Sequence, residues 1–208
     1  MGAMSQHPDA SGRAPAGMRR AGAQGWLLFD TVIGHCGIAW GERGIVGVLL
    51  PEGSEEQTRS RMRRLNPAVP ERAEASAPAP ARAAAARIRG LLRGERDDLQ
   101  DLALDYSGVP AFHVRVYGLV RGIGPGETLT YGEVAQRLGE PAAAQAVGQA
   151  LARNPFAPVV PCHRVLAAPD AAGIYRAGGF SAGGGTATKL RMLQAEGARF
   201  SRQPGLFD

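Results

Sequence analysis

The chain has 208 residues, 24 basic against 19 acidic side chains for a formal charge of +5, and 44% hydrophobic residues. That length fits one large domain or two small ones with a buried core, and the positive balance suits a polyanion such as nucleic acid, although arginine-rich usage also fits a genome-wide bias. No apolar run approaches the ~20 residues that span a bilayer, MGAMSQHPDASGRAPAGMRR at the start lacks the apolar core of a secretory signal, and two cysteines in unrelated contexts form no disulfide framework, so a reducing cytoplasm is expected.

Residues 1–24 read as a disordered leader. WLLFDTVIGHCGIAWGERGIVGVLL, 26–50, holds three apolar runs separated by TVIG and GERG, the pattern of an antiparallel meander. SEEQTRSRMRRL, 54–65, opens on a serine cap followed by acidic residues and predicts a helix. A Pro/Ala loop follows, then a helix over RAAAARIRGLLRG that stops at Gly94, and LALDY at 102–106 predicts one more strand. These elements make 25–108 a small domain of mixed character.

From Pro110 the pattern turns helical. PAFHVRVYGLVRGI places Phe112, Val116, Leu119, Val120 and Ile123 on one apolar face. TYGEVAQRLG and PAAAQAVGQALARNP predict two short helices joined by GEP, with Thr130 capping the first and Pro141 opening the second; this is a helix-turn-helix outline. The second helix is nearly bare along Ala142, Ala143, Ala144, Ala146 and Gly148, which suits close approach to a packed helix or to a nucleic-acid groove.

Cys162 lies in APVVPCHRVLAAP between Pro161 and His163. A thiol is a weak nucleophile until ionised. In an extended chain consecutive side chains point to opposite faces, so Cys162 and His163 meet only if the chain bends or a water bridges them. Taken alone, the pattern also fits a buried structural thiol beside a surface histidine. Cys36, next to His35, reads as a strand residue, because the remaining histidines, His7 and His113, complete no metal-ligand spacing. Neither a metal site nor a cofactor is expected.

NPFAPVVPCHRV, preceded by GETLTYGEVAQRLG and followed by GGGTATKLRMLQAEG, strongly resembles the O6-alkylguanine-DNA alkyltransferases, the methylated-DNA–protein-cysteine methyltransferases. The resemblance runs from about Phe112 to Gly197. It implies an α+β protein: a ribonuclease-H-like α/β domain over 25–108, a mostly helical, winged-helix-like alkyltransferase domain over 109–198, and a tail at 199–208. The implied activity is direct DNA repair, a single-turnover transfer of an alkyl group from O6-alkylguanine, and also O4-alkylthymine, to Cys162 after minor-groove binding and base flipping.

The resemblance also assigns roles. His163 takes the thiol proton through a water and is oriented by Glu196. Tyr131 helps extrude the nucleotide, and Asn154 ties the recognition helix to the active-site strand. Pro161 and an extended VVPCHRV hold the thiol, while the carbonyls of Cys162 and Val165 read the guanine amino group. Ala143, Ala144, Gln145, Ala146, Gly148 and Arg164 meet DNA. Two features depart from the family pattern. Gln145 stands where an arginine usually fills the gap left by the flipped base. The loop 168–185 is long, with Phe180 and Ser181 the best counterparts of a Tyr-Ser pair near the pocket, and Ala182 and Gly183 the counterparts by strict spacing.

The alternative is a non-catalytic relative that flags alkylated bases for other repair, in which the acceptor cysteine is typically replaced; a thiol redox enzyme or protease would not explain the helix-turn-helix. Expected partners are double-stranded DNA, no membrane, and no second subunit. The tail supplies Gln203, Leu206 and Phe207 in a pattern that resembles the Q-x-x-L-F peptide by which bacterial DNA-metabolism proteins dock on the replication sliding clamp.

Overall fold

A computed structural model describes residues 22–171, 175 and 177–198. The meander forms as its turn signals require. Strands β1 (Ala23–Thr31), β2 (Gly34–Gly41) and β3 (Gly44–Leu49) pair antiparallel in that order, with Leu27 opposite Ile38 and Phe29 opposite Cys36. Alternation sends Leu27, Phe29, Ile38 and Val48 into the main core, and Trp26, Ala39 and Val46 into a smaller cluster on the other face. β1 begins inside the stretch expected to be a leader; residues 1–21 lie outside the described residues.

Helix α1 (Glu55–Leu65) starts at Ser54, whose hydroxyl accepts the Gln57 N–H, and covers the smaller cluster with Met62. Helix α2 (Ala79–Leu92) begins three residues ahead of the expected start, because Pro80 sits in its first turn where no N–H partner is needed. Its small residues Ala81, Ala84 and Ala85 let it lie close against the main-core face. LALDY is not a strand. It makes one isolated bridge, Leu104 to Ile45, and there the backbone instead exchanges bonds from Ile45 N to Ala103 O and from Asp105 N to Ile45 O.

The second half packs α3 (Ala111–Arg121) against α4 (Tyr131–Arg137) and α5 (Ala144–Ala152). Thr130 and Glu133 form a reciprocal capping box that fixes the start of α4. Pro141 opens a 3-10 turn, Pro141–Ala143, that leads into α5. Buried Tyr117 donates to the Ala150 carbonyl at 2.9 Å and locks α3 to α5. A two-residue parallel pair joins β4 (Leu129–Thr130) to β5 (Val165–Leu166), and α6 (Gly185–Ala195) closes the chain's described part. The main core is continuous from Leu27 to Met192 across the expected boundary near residue 108, and Val48 N donates to Pro155 O at 2.8 Å across it. Among the described residues no helix is long and apolar enough to cross a membrane.

Candidate active site

The Asn154–Pro155 step follows α5 and is closed by one side chain. Asn154 Nδ2 donates to Val160 O at 2.8 Å, and its Oδ1 accepts the Phe156 N–H at 3.0 Å. This folds buried Val159, Val160 and Pro161 under the helix pair. The stretch from Cys162 is not extended, as expected, but a 3-10 turn, Cys162–Arg164, with Arg164 N bonded to Pro161 O and Val165 N to Cys162 O. The proline ends the straight run, and the tight turn lets neighbouring side chains diverge by about 120° rather than 180°.

Cys162 is 6% exposed. Burial pushes its thiol up, opposed by the Asn154 side chain, the Lys189 ammonium and backbone N–H groups at Cys162 and His163. The resting group is a thiol, and its activation requires a base. His163 is fully buried, and its Nε2 lies 2.8 Å from Glu196 Oε1. Burial lowers its pKa against the raising effect of Glu196, so the ring is neutral. Nε2 then carries the hydrogen toward the carboxylate, and Nδ1, buried and unbonded among the described residues, keeps its lone pair.

Arg164, expected against DNA, is buried at 1% exposure instead. Its Nε and Nη2 donate to the two Glu196 oxygens at 2.9 and 2.7 Å, and Nη1 donates to Ile123 O at 2.6 Å. Burial raises the Glu196 pKa, but hydrogen bonds from His163 and Arg164 outweigh it and draw the carboxyl down to about 2. Glu196 therefore stays ionised and immobile. The turns at Gly94 and Gly126, both in the left-handed region, close over the carbonyls of Ala195 and Glu196 at the end of α6 and help bury this cluster.

Lys189 is the chain's single lysine and is completely buried. Nζ donates to Val165 O at 2.7 Å and lies 5.9 Å from the Tyr131 ring centroid. No carboxylate pairs with it among the described residues, and burial brings its pKa down to about 8, with Cys162 pulling the other way. Motif spacing did not single it out; one lysine among 24 basic residues was the available signal. Tyr131, at the first position of α4, is held near Val165 because Thr130 pairs with Leu166 beside it. Burial and the nearby Cys162 raise its hydroxyl pKa.

The Val165 carbonyl already accepts from Lys189 and that of Cys162 from Val165 N, so each has one lone pair left for a base. Gln145 is exposed in the first turn of α5. The bare face is shared: Gly148 faces the Tyr131 ring, Ala143 and Ala144 pack partly on the core, and Ala146 is half-buried. Phe180 packs on the core while Ser181 points to solvent. In the first half, arginines 59, 61, 87, 89 and 93 are all tied to carboxylates. Arg137 and Arg153, at the ends of the helix pair, are exposed without ion pairs among the described residues, which places positive charge beside the candidate site. Cys36 is buried in β2 with its pKa pushed up to about 12 by desolvation. Gln203, Leu206 and Phe207 lie outside the described residues.

Residues 111–198 match the family model of the 6-O-methylguanine DNA methyltransferase DNA-binding domain. A methylated-DNA–protein-cysteine methyltransferase of Methanothermobacter thermautotrophicus is 32% identical over 167 residues, 80% of this chain and 82% of that protein. The chain belongs to the methylated-DNA–protein-cysteine methyltransferase family. A second similar protein, a DNA base-flipping protein of Thermus thermophilus, is 38% identical over 66% of this chain and 87% of its own length. The crystal structure of the Mycobacterium tuberculosis O6-methylguanine methyltransferase superposes with a TM-score of 0.63 at 29% identity, covering 89% of this chain and 99% of that one; a second structure shows that mycobacterial protein in complex with DNA, with the same score over 83% and 92%. As a methyltransferase of this family, the protein holds the buried Cys162 thiol within a mixed α/β frame and close to the paired helices α4 and α5.

Proposed function

We propose that this methyltransferase repairs O6-alkylguanine, and by the same chemistry O4-alkylthymine, by one irreversible transfer to Cys162. The observation that carries the reading is the juxtaposition of a nearly buried thiol with a neutral histidine oriented by an ionised, arginine-locked glutamate. As a water passes the thiol proton to His163 Nδ1, Sγ attacks the alkyl carbon in line, the S–C bond forms and the C–O6 bond breaks. The guanine leaves with the bonding pair and takes up a proton at N1, so the thiol's hydrogen is replaced on the base overall. The thioether is a stable product whose C–S bond no simple acid or base step hydrolyses, so each molecule acts once.

Lys189 supplies the positive charge that this step needs. Its ammonium lies near both Cys162 and Tyr131, where negative charge first gathers on sulfur and then on the departing base. Tyr131 faces the same space and donates to the base, and Asn154 holds the thiol's turn against α5. With Cys162 only 6% exposed, a stacked base cannot reach it, so the lesion must leave the duplex. Ala143, Ala144, Ala146 and Gly148 allow close approach to the minor groove, Gln145 fills or borders the vacated gap, and Arg137 and Arg153 hold phosphates. Pro161, Val165 and Phe180 line the pocket.

A second reading, base flipping alone, is favoured by the name of the Thermus relative, a DNA base-flipping protein. The acceptor thiol beside a preorganised base supports transfer here. Incubation with a duplex containing O6-methylguanine should add one methyl group to the intact mass, on the Cys162 peptide, and Cys162→Ala should bind the duplex without modification. A label on Cys36, or binding with no mass change, would overturn the reading. We further propose a monomer acting in a bacterial cytoplasm, with Gln203, Leu206 and Phe207 as a docking peptide for the sliding clamp. A peptide of residues 199–208 should bind the clamp, and the double change Leu206→Ala, Phe207→Ala should abolish binding.

A further inference from the structure

The part of the long loop that runs from Ala177 to Gly185 is seated between the two halves of the protein. On one side Gly178, at φ +71°, lies against Tyr131: a Cβ there would stand 3.2 Å from the phenol oxygen. On the other side Gly183 lies flat on the Pro51–Glu52 backbone. A Cβ on Gly183 would overlap the Pro51 carbonyl oxygen and stand 2.6 Å from Glu52 Cα. Both are backbone atoms that cannot swing aside. Between the two contacts Phe180 and Ala182 rest on the main core.

The seat under Gly183 is rigid. The Pro51 ring abuts the β1–β2 turn, where a Cβ on Gly34 would stand 3.1 Å away. Glu52 N donates to the hydroxyl of fully buried Thr58, which itself donates to Ser54 O, and the Glu52 carboxylate pairs with Arg61 at 3.2 Å. The loop is also tied to α6, by Thr188 Oγ1 donating to Gly183 O at 2.7 Å. The same first half reaches the Asn154–Pro155 step ahead of the thiol's turn through the bond from Val48 N to Pro155 O.

We propose that Pro51–Glu52 of the first half, acting through Gly183, sets the width of the alkyl-accepting pocket and so the size of group the protein removes. This rests on the transfer reading above. Glu52, Thr58, Arg61 and Gly183 are positioning residues: they touch no substrate, and they fix how near the loop stands to Tyr131. No side chain has room at Gly183 while the loop keeps this seat.

The test compares full-length wild type with Gly183→Ala on two duplexes, one with O6-methylguanine and one with O6-ethylguanine, under single-turnover conditions. Methyl transfer by wild type tests the function itself; the ethyl-to-methyl rate ratio tests the inference. A Cβ forces the loop off Pro51 by about an ångström toward Tyr131, close to the reach of one methylene, so the ratio should fall about tenfold, with affinity for undamaged DNA unchanged. Gly179→Ala, where an added Cβ meets nothing within 4 Å, should leave the ratio at the wild-type value. Should Gly183→Ala fail to fold, Arg61→Met serves: it frees Glu52, loosens the seat, and should raise the ratio about threefold or more. An unchanged ratio, or equal loss on both substrates, overturns the proposal.

Discussion

Glu196→Gln removes one charge from a buried set of three groups, and its effect follows from the geometry. Arg164 and Glu196 have side chains 1% and 2% exposed, joined by two hydrogen bonds. Glutamine keeps an oxygen for His163 but offers its amide hydrogens to a guanidinium that has only donors, leaving a buried cation uncompensated. Breaking such a pair costs about 3–5 kcal/mol. The depressed carboxyl pKa expresses the same hydrogen bonds and points the same way. The Glu196 carboxyl is drawn from 4.5 to about 2, and at about 1.4 kcal/mol per tenfold this is about 3 kcal/mol. Because the folded pKa is the lower one, that stabilisation is present above pH 4.5 and is lost as pH falls toward 2.

Urea unfolding followed by the fluorescence of buried Trp26 and Trp40 reads the effect. With a slope of about 2 kcal/mol per molar, the midpoint of Glu196→Gln should fall by about 1.5 M at pH 7. The gap between variant and wild type should close progressively below pH 4.5. Adding Arg164→Met to Glu196→Gln should recover most of the loss, since both charges are then gone. A pH 7 midpoint within about 0.3 M of wild type, or a gap that does not change with pH, would refute the reasoning.

Lys189→Met should slow methyl transfer at pH 7 by about tenfold or more. The deficit should narrow as pH rises through about 8, where wild-type Lys189 loses its own charge; a deficit constant from pH 6.5 to 9 would exclude the electrostatic role, and DNA affinity should not move because the side chain is buried. Gln145→Arg should tighten duplex binding and steepen its salt dependence by about one phosphate-like contact. Filter binding at several salt concentrations checks this, and identical slopes would show that another residue already performs the task.

Much of the architecture was legible because it rests on local signals. The meander turns, the Ser54 and Thr130 caps and Pro141 each act within four residues of where they stand, and each element formed where its signal lay. LALDY failed because its backbone partner is the single residue Ile45 rather than a strand. A strand's identity depends on what lies opposite, which lies outside the segment itself. The turn at Cys162–Arg164 was misread for a related reason. Pro161 permits both an extended run and a tight turn, and the choice is made by Arg164 reaching Glu196 and Ile123, 32 and 41 residues away.

The two buried cations beside the thiol were the least legible, since Lys and Arg are almost never fully buried unless paired. Arg164 meets that condition and Lys189 does not. Arg164 is compensated: a bidentate carboxylate and a carbonyl satisfy it, so fixing Glu196 and with it His163 accounts for its burial. Lys189 is not compensated in the same way. One carbonyl and a distant ring face do not offset the desolvation of an ammonium, which is why burial lowers its pKa while no carboxylate among the described residues restores it. A chain that writes every other Lys/Arg position as arginine has kept lysine here, where the compact head fits beside Val165 and where, in the proposed transfer, its charge would face a sulfur that becomes an anion. Arg164 is satisfied by its partners, whereas the proposed transfer step gives the charge of Lys189 its counterpart, the sulfur anion and the departing base.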